Sequence, residues 1–205
     1  MIKIDKITDI GNGRHEVFLE DGTTFVLYKK EIEKLGLVPD GECSEGDFAK
    51  IKEDILLKRA KKRGLHLLER SGRSEGNLTK KLREGGYPDD VVEQAIAYIK
   101  SFGYLDDESL ARSIVENRRD RKSSKEIVAT LRTKEISTVL IHQVMEKYYD
   151  DEHEKEAIKT LMNKKRIDPA NMTRDEKNKF FNYLARKGFS YDSIQGIFQQ
   201  YLLDR

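Results

Sequence analysis

The stretch LTKKLREGGYPDDVVEQAIAYI, residues 78–99, is matched without a gap by IVATLRTKEISTVLIHQVMEKY, residues 127–148, and by FFNYLARKGFSYDSIQGIFQQY, residues 180–201. Leu78, Ile127 and Phe180 share the first apolar column, and Leu82, Leu131 and Leu184 the second. Then come Tyr87, Ile136 and Phe189; Val92, Ile141 and Ile194; Ala95, Val144 and Ile197; Ile96, Met145 and Phe198; Ile99, Tyr148 and Tyr201. Each copy reads as a short helix, a corner at Gly or Lys-Glu plugged by an aromatic or Ile, and a longer helix. That longer helix has apolar residues at i, i+3, i+4 and i+7 on one face. A further helical pattern precedes each copy, over 48–70, 107–119 and 152–165. Self-similarity at a period of about 50 residues marks a repeat architecture, because each unit buries its own small core against its neighbours. The fold class expected is mostly α: an extended tandem array of three three-helix modules at 47–104, 105–150 and 151–205.

The first 46 residues follow a different period. Segments around Ile2–Ile10, His15–Leu19 and Thr23–Leu27 are rich in β-branched and aromatic residues, and Gly11-Asn12-Gly13 and Asp21-Gly22 punctuate them. Asp-Gly between such runs predicts a hairpin whose two central residues take positive φ. A small antiparallel meander is expected, then a short helix over Lys29–Gly36 and a polar connector, VPDGECSEGD. Residues 1–46 would form this small β-rich segment.

Composition agrees with small helical units. The apolar fraction is 37% and the charged fraction 37%, against about 45–50% and about 25% in ordinary globular chains. One large core is therefore excluded, and the periodicity argues against disorder. Charge is unevenly spread. Residues 1–54 carry 8 Lys and Arg against 13 Asp and Glu, residues 55–149 carry 20 against 14, and residues 150–205 carry 11 against 10. The basic excess of the middle segment suits a polyanion or an acidic protein partner, and the acidic N-terminal segment suits phosphate less well. Cys43 is the sole cysteine, so no intrachain disulfide can form. The N-terminus lacks the apolar run of a signal peptide, and no segment has the 18 or so apolar residues of a membrane span. A cytoplasmic protein without membrane attachment is expected.

Two aspartate pairs, Asp89-Asp90 and Asp106-Asp107, raise the question of a carboxylate site. Both stand at helix starts, where a short carboxylate satisfies free backbone N–H groups and opposes the helix dipole. Ser137 and Ser190 hold the helix start in the second and third copies. In the first, Pro88 occupies that column, and Asp89 or Asp90 would cap instead, with Glu93 completing a capping box. Gly103 would end the preceding helix before Asp106 and Asp107 open the next. His15, His66, His142 and His153 show no ligand spacing, no Gly-rich loop opens a helix, and no nucleophile motif occurs. No enzyme, metal or cofactor is expected.

Basic clusters remain as candidate binding residues: Lys58, Lys61, Lys62 and Arg63 on one helix, Arg70 and Arg73 after it, then Arg118, Arg119, Arg121, Lys122 and Lys125. The alternative is a solvated face whose charges pair locally. Arg73 and Lys122 occupy one repeat column, at the start of the short helix in modules one and two, where module three has Asp175.

The chain from LLERSGRSEGNLTKK to VMEKYY resembles the RecX family, bacterial regulators of the RecA recombinase. The residues that carry the likeness are Arg73-Ser74, Leu78, Lys81, Leu82, Gly86 and Tyr87, then Gly103 to Asp107 with Ala111. The likeness is densest over 65–149, and the strand-rich start is similar to that of relatives from low-GC Gram-positive bacteria. The sequence departs from the family pattern at Leu110, where Phe is common, and at Ser123-Ser124, where a basic Gly-Pro pair is frequent. The resemblance implies a non-enzymatic modulator that lies along the RecA–single-stranded DNA filament and mainly inhibits its growth, ATP hydrolysis and strand exchange. The competing expectation is a helical protein that binds single- or double-stranded DNA without a recombinase. A monomer is the default.

Overall fold

The computed structural model describes residues 1–203, apart from the side chains of Ala170, Tyr201, Leu202 and Leu203. The expectations for the Tyr201 column and for Asp204 and Arg205 lie outside the described residues.

Three strands form the expected meander: β1 (Ile2–Asp9), β2 (Arg14–Leu19) and β3 (Thr24–Tyr28). Its Asp-Gly turn differs from expectation, because only Gly22 takes positive φ (85°). The Leu19 N–H donates to the Thr23 carbonyl, and the Thr23 N–H to the Asp21 carboxylate at 2.8 Å. That makes a three-residue connection in which the side chain of Asp21 does part of the turning. Helix α1 (Lys29–Leu35) follows and ends at left-handed Gly36. The connector is more ordered than its polarity suggests. It carries β4 (Glu42–Cys43), which pairs antiparallel with β1 and extends the sheet to the order β3-β2-β1-β4. Two residues are too few to show the alternation by which strands are recognised.

Ser44 opens α2 (Glu45–Lys50) by accepting from the Asp47 N–H. The helix continues through a π-helical segment, Ile51–Leu57, into α3 (Lys58–Arg70). Then come α4 (Glu75–Arg83) and α5 (Asp89–Ser101). The second module holds α6 (Asp107–Glu116), α7 (Ser124–Thr133) and α8 (Thr138–Tyr148). The third holds α9 (Asp151–Lys165), α10 (Arg174–Lys187) and α11 (Tyr191–Leu203).

The repeat columns are the cores. Leu78, Ile127 and Phe180 are buried, as are Leu82, Leu131 and Leu184, and so are Val92, Ile141 and Ile194. Truncating such a residue to alanine costs about 2–5 kcal/mol. The corner column explains the shared break: Gly86, Glu135 and Gly188 all turn left-handed, at φ 80°, 58° and 91°. Modules two and three each have a separate core. Module one does not: one cluster runs from Ile4, Val17, Phe25 and Leu27 of the sheet into Leu56, Leu78, Leu82 and Ile99. The chain accordingly forms two compact units, Met1–Asp106 and Asp107–Arg205.

The sheet is seated on the corner of module one. The Val26 N–H donates to the Gly86 carbonyl at 3.1 Å, and a Cβ on Gly86 would stand 2.2 Å from Val26 Cγ2. Only glycine allows both the turn and this approach.

Helix starts follow the capping logic with one correction. Ser137 accepts from the Leu140 N–H and Ser190 from the Ser193 N–H. Asp89 and Asp90 do not cap α5: Pro88 is its N-cap, without a side-chain bond. Both aspartates lie in the first turn and form ion pairs, Asp89 with Arg83 (2.7 Å) and Asp90 with Lys52 (2.8 Å), and Asp90 also accepts from the free Val91 N–H at 2.9 Å. Proline's fixed φ suits the helix start without a side-chain oxygen at the N-cap position itself. Gly103 ends α5 as expected, at φ 72°.

Within the second unit, modules two and three are tied at α7. Ser123 is fully buried; it caps α7 and donates to the Lys187 carbonyl at 2.6 Å. Lys187 and Lys122 both donate to Glu126, at 3.1 and 3.2 Å. Burial acts to raise the Glu126 carboxyl, but these two bonds outweigh it and hold it below its ordinary value. The Glu126 bond in turn raises Lys187. Inside module three, buried Glu154 on α9 accepts from Ser190 Oγ (2.7 Å) and Ser193 Oγ (2.8 Å), binding the start of α11.

Candidate functional site

In the first unit, the outer face of the β2–β3 hairpin meets α3 in a cleft of about 560 Å³. Arg14 stands opposite Tyr28 in the strand register, which puts both side chains on one face of the sheet. Helix α3 faces them with Arg59, Lys62 and Arg63, and the corner of module one adds Tyr87. No carboxylate lines the cleft.

Arg59 builds this site. Its guanidinium donates to the Val26 carbonyl at 3.1 Å and to the Glu31 carboxylate, and lies 4.8 Å from the Tyr28 ring centroid. Helix α3 is thus fixed to β3 and α1 by one planar fork, and the cation stacks on the tyrosine. Burial pushes the Tyr87 hydroxyl up, and the nearby charges of Arg59 and Arg63 oppose that. By contrast, Arg14, Lys62 and Arg63 form no ion pair among the described residues. Three unpaired cations around an acid-free concavity can receive anionic groups.

The predicted basic residues are divided between the two units, Lys58 to Arg73 in the first and Arg118 to Lys125 in the second. Lys62 and Arg63 are exposed and meet in the cleft. Lys58 pairs with Asp54 at 2.7 Å, and Lys61 sits 4.2 Å from the Tyr98 ring centroid. Arg70 is exposed at the last turn of α3. Arg73 turns inward, donating to the Leu67 carbonyl (3.2 Å) and to Asn77 (2.7 Å), and Lys122 pairs with Glu126. The shared column of Arg73 and Lys122 is thus occupied by local bonds at the helix starts. Module three lacks it because α10 begins one turn earlier, which places Asp175 inside the helix. Arg118 donates to Thr130 at 3.1 Å, the Arg119 Nε is buried without a hydrogen-bond partner, and Arg121 is exposed. Lys125 is exposed at its tip while its stem packs under Gly188.

Arg14, Arg59 and Tyr28 were absent from the sequence-based candidates. The signal for Arg59 lay in its i, i+4 spacing to Arg63 within KRAKKR, which places the two on one helix face. The pairing of Arg14 with Tyr28 follows once the hairpin register is known. Among the described residues no group of His, Cys, Asp or Glu could hold a metal ion, and no helix is long and apolar enough to cross a membrane.

A small antiparallel sheet seated on the first of three tandem three-helix modules defines the class: a helical-module protein with a β-rich N-terminal segment. The chain belongs to the RecX family of regulatory proteins. The family models for the first and the third RecX three-helix domain match residues 60–98 and 151–198. The regulatory protein RecX of Clostridium botulinum strain Eklund 17B is 28% identical over 192 residues, covering 91% of this chain and 89% of that protein. That of Caldanaerobacter subterraneus subsp. tengcongensis is 26% identical over 185 residues, covering 90% and 91%. A crystal structure of a regulatory protein RecX superposes with a TM-score of 0.59 at 25% identity, covering 96% of this chain and 98% of the other. RecX from Lactobacillus salivarius gives 0.60 at 25% identity, over 72% of this chain.

Proposed function

We propose that the protein regulates RecA recombinase filaments without itself being an enzyme, binding along the RecA–single-stranded DNA filament and mainly restraining its growth, ATP hydrolysis and strand exchange. The observation that carries this reading is the threefold repeat of the module, together with membership of a regulatory family. Repeated modules suit a filament, because successive modules can address successive subunits while the apolar columns stay occupied internally, in module one together with the sheet. In this reading residues 1–46 dock as an accessory to modules at 47–104, 105–150 and 151–205, and the protein works as a cytoplasmic monomer without a cofactor.

The predicted basic residues with exposed, free heads, Lys62, Arg63, Arg70, Arg121 and Lys125, are the proposed filament contacts. Co-sedimentation with preformed filaments tests this. The wild type should pellet with the filament, and Arg63→Glu combined with Arg121→Glu should pellet less. Equal pelleting of both would remove these contacts from the reading, and no pelleting of the wild type would remove the reading itself. The acid-free cleft favours a second reading, nucleic-acid binding without a recombinase. It predicts affinity for bare DNA that falls steeply with log salt, and a flat salt dependence would eliminate it.

A further inference from the structure

We infer that the cleft between the β2–β3 hairpin and α3 is a binding site for a nucleotide unit of single-stranded nucleic acid, its phosphates held by Arg14, Lys62 and Arg63 and its base laid against Tyr28 or Tyr87. This overturns the expectation from charge counting that the acidic N-terminal segment suits phosphate poorly. The net charge of residues 1–54 is negative, and Glu16 lies opposite Val26 on the same face of the hairpin, yet the residues of β2 and β3 that line the cleft are Arg14, Val26 and Tyr28.

Three features select the ligand. The unpaired cations come from two elements, β2 and α3, so they surround the cleft and suit several anionic groups in series rather than one carboxylate. The two tyrosines offer flat rings beside those cations, a pairing that serves bases through stacking, whereas an acidic peptide would use the cations and leave the rings unused. The volume of about 560 Å³ is of ligand-pocket size and admits one or two nucleotides. A duplex is too broad to enter it.

The site is also pre-formed. Arg59 is committed to Val26, Glu31 and Tyr28, so it holds the walls together while the other three cations remain available. The seat of Val26 on Gly86 fixes the hairpin against the module that supplies Tyr87. Little ordering is then left for the ligand to impose on the protein, which favours binding.

Fluorescence anisotropy with a labelled oligo-dT of about 15 nucleotides tests the site. Lys62→Ala combined with Arg63→Ala removes two phosphate contacts. It should weaken binding about 10-fold or more and lower the slope of log affinity against log salt by about 1.4. Tyr28→Leu should weaken binding about 5-fold or more and leave that slope unchanged, because stacking releases no counterions. Lys179→Ala with Arg186→Ala, an equal loss of charge in the other unit, should leave affinity within about twofold of wild type. Equal loss in this control, or wild-type affinity in both cleft variants, would overturn the proposal. So would competition by poly-glutamate as effective as by unlabelled oligo-dT, which would make the cleft an acidic-protein site. A mononucleotide, dTMP, that bound as tightly as the strand would reassign it to free nucleotides. No recombinase is present in these measurements, so they can fail while filament regulation stands, and the reverse.

Discussion

Replacing Gly86 by alanine should loosen the sheet from the first module, and the neighbouring structure supplies its own control. Gly86 and Gly103 both sit at positive φ, 80° and 72°. Alanine in that region costs about 1–2 kcal/mol at either site. Around Gly103 there is nothing within 4 Å of an added Cβ, whereas at Gly86 it would meet Val26 Cγ2 at 2.2 Å. Val26 is 8% exposed and its N–H is bonded to the Gly86 carbonyl, so it cannot withdraw without moving β3. That conflict adds about 1–3 kcal/mol of overpacking and about 1 kcal/mol for the weakened hydrogen bond. Gly86→Ala should therefore cost about 2–4 kcal/mol more than Gly103→Ala. Hydrogen exchange at the amides of Thr24–Tyr28 localises the effect, and should accelerate about 30- to 900-fold more in the first variant than in the second. Val26→Ala in the same chain removes the obstructing methyl and should recover part of the loss, as coupled neighbours do. Equal exchange in Gly86→Ala and Gly103→Ala would refute the seating of the sheet on the corner.

The tie between modules two and three should depend on pH. Glu126 is depressed in the folded protein, so its contribution is present above the unfolded carboxyl value and lost as pH falls through the folded one. Lys187 is raised, so its contribution is present below the unfolded lysine value and lost as pH rises through the folded one. Glu126→Gln should destabilise the second unit by about 1–2 kcal/mol at neutral pH, with the deficit shrinking in urea melts as pH falls through the depressed value of the folded carboxyl. Ser123→Ala removes the cap of α7 and the donor to the Lys187 carbonyl together, and should cost about 2–3 kcal/mol by the same assay. Glu154→Ala leaves the buried Ser193 hydroxyl and the exposed Ser190 hydroxyl without their acceptor; thermal melts should show a loss of about 1–3 kcal/mol.

The modules were legible because their signal is periodic. Burial of Leu82, Leu131 and Leu184 is written in the spacing of each copy and reinforced by repetition. The join between sheet and module was not. Val26 and Gly86 lie 60 residues apart, and the contact between them leaves no local pattern; the glycine announces only a turn. The candidate site was half visible for a related reason. A basic cluster on the polar face of a helix can be read from sequence, which found Lys62 and Arg63 within KRAKKR, but the opposite wall comes from a strand pair whose register decides which side chains share a face. Sequence alone also cannot tell a cation engaged at home from a free one. Arg73 lies in a repeated column as a contact would, and its bonds to Leu67 and Asn77 show a helix-start brace. Asp89 and Asp90 misled in the same way, since capping and pairing use the same residues at the same place.

The central claim, regulation of a recombinase filament, is tested most directly by the rate of ATP hydrolysis of preformed RecA–single-stranded DNA filaments. The protein is added well below one copy per RecA subunit. A fall in rate out of proportion to the copies added is the result that the proposed reading, successive modules addressing successive subunits, predicts. An unchanged rate, with no protein retained on the filament, would contradict the account.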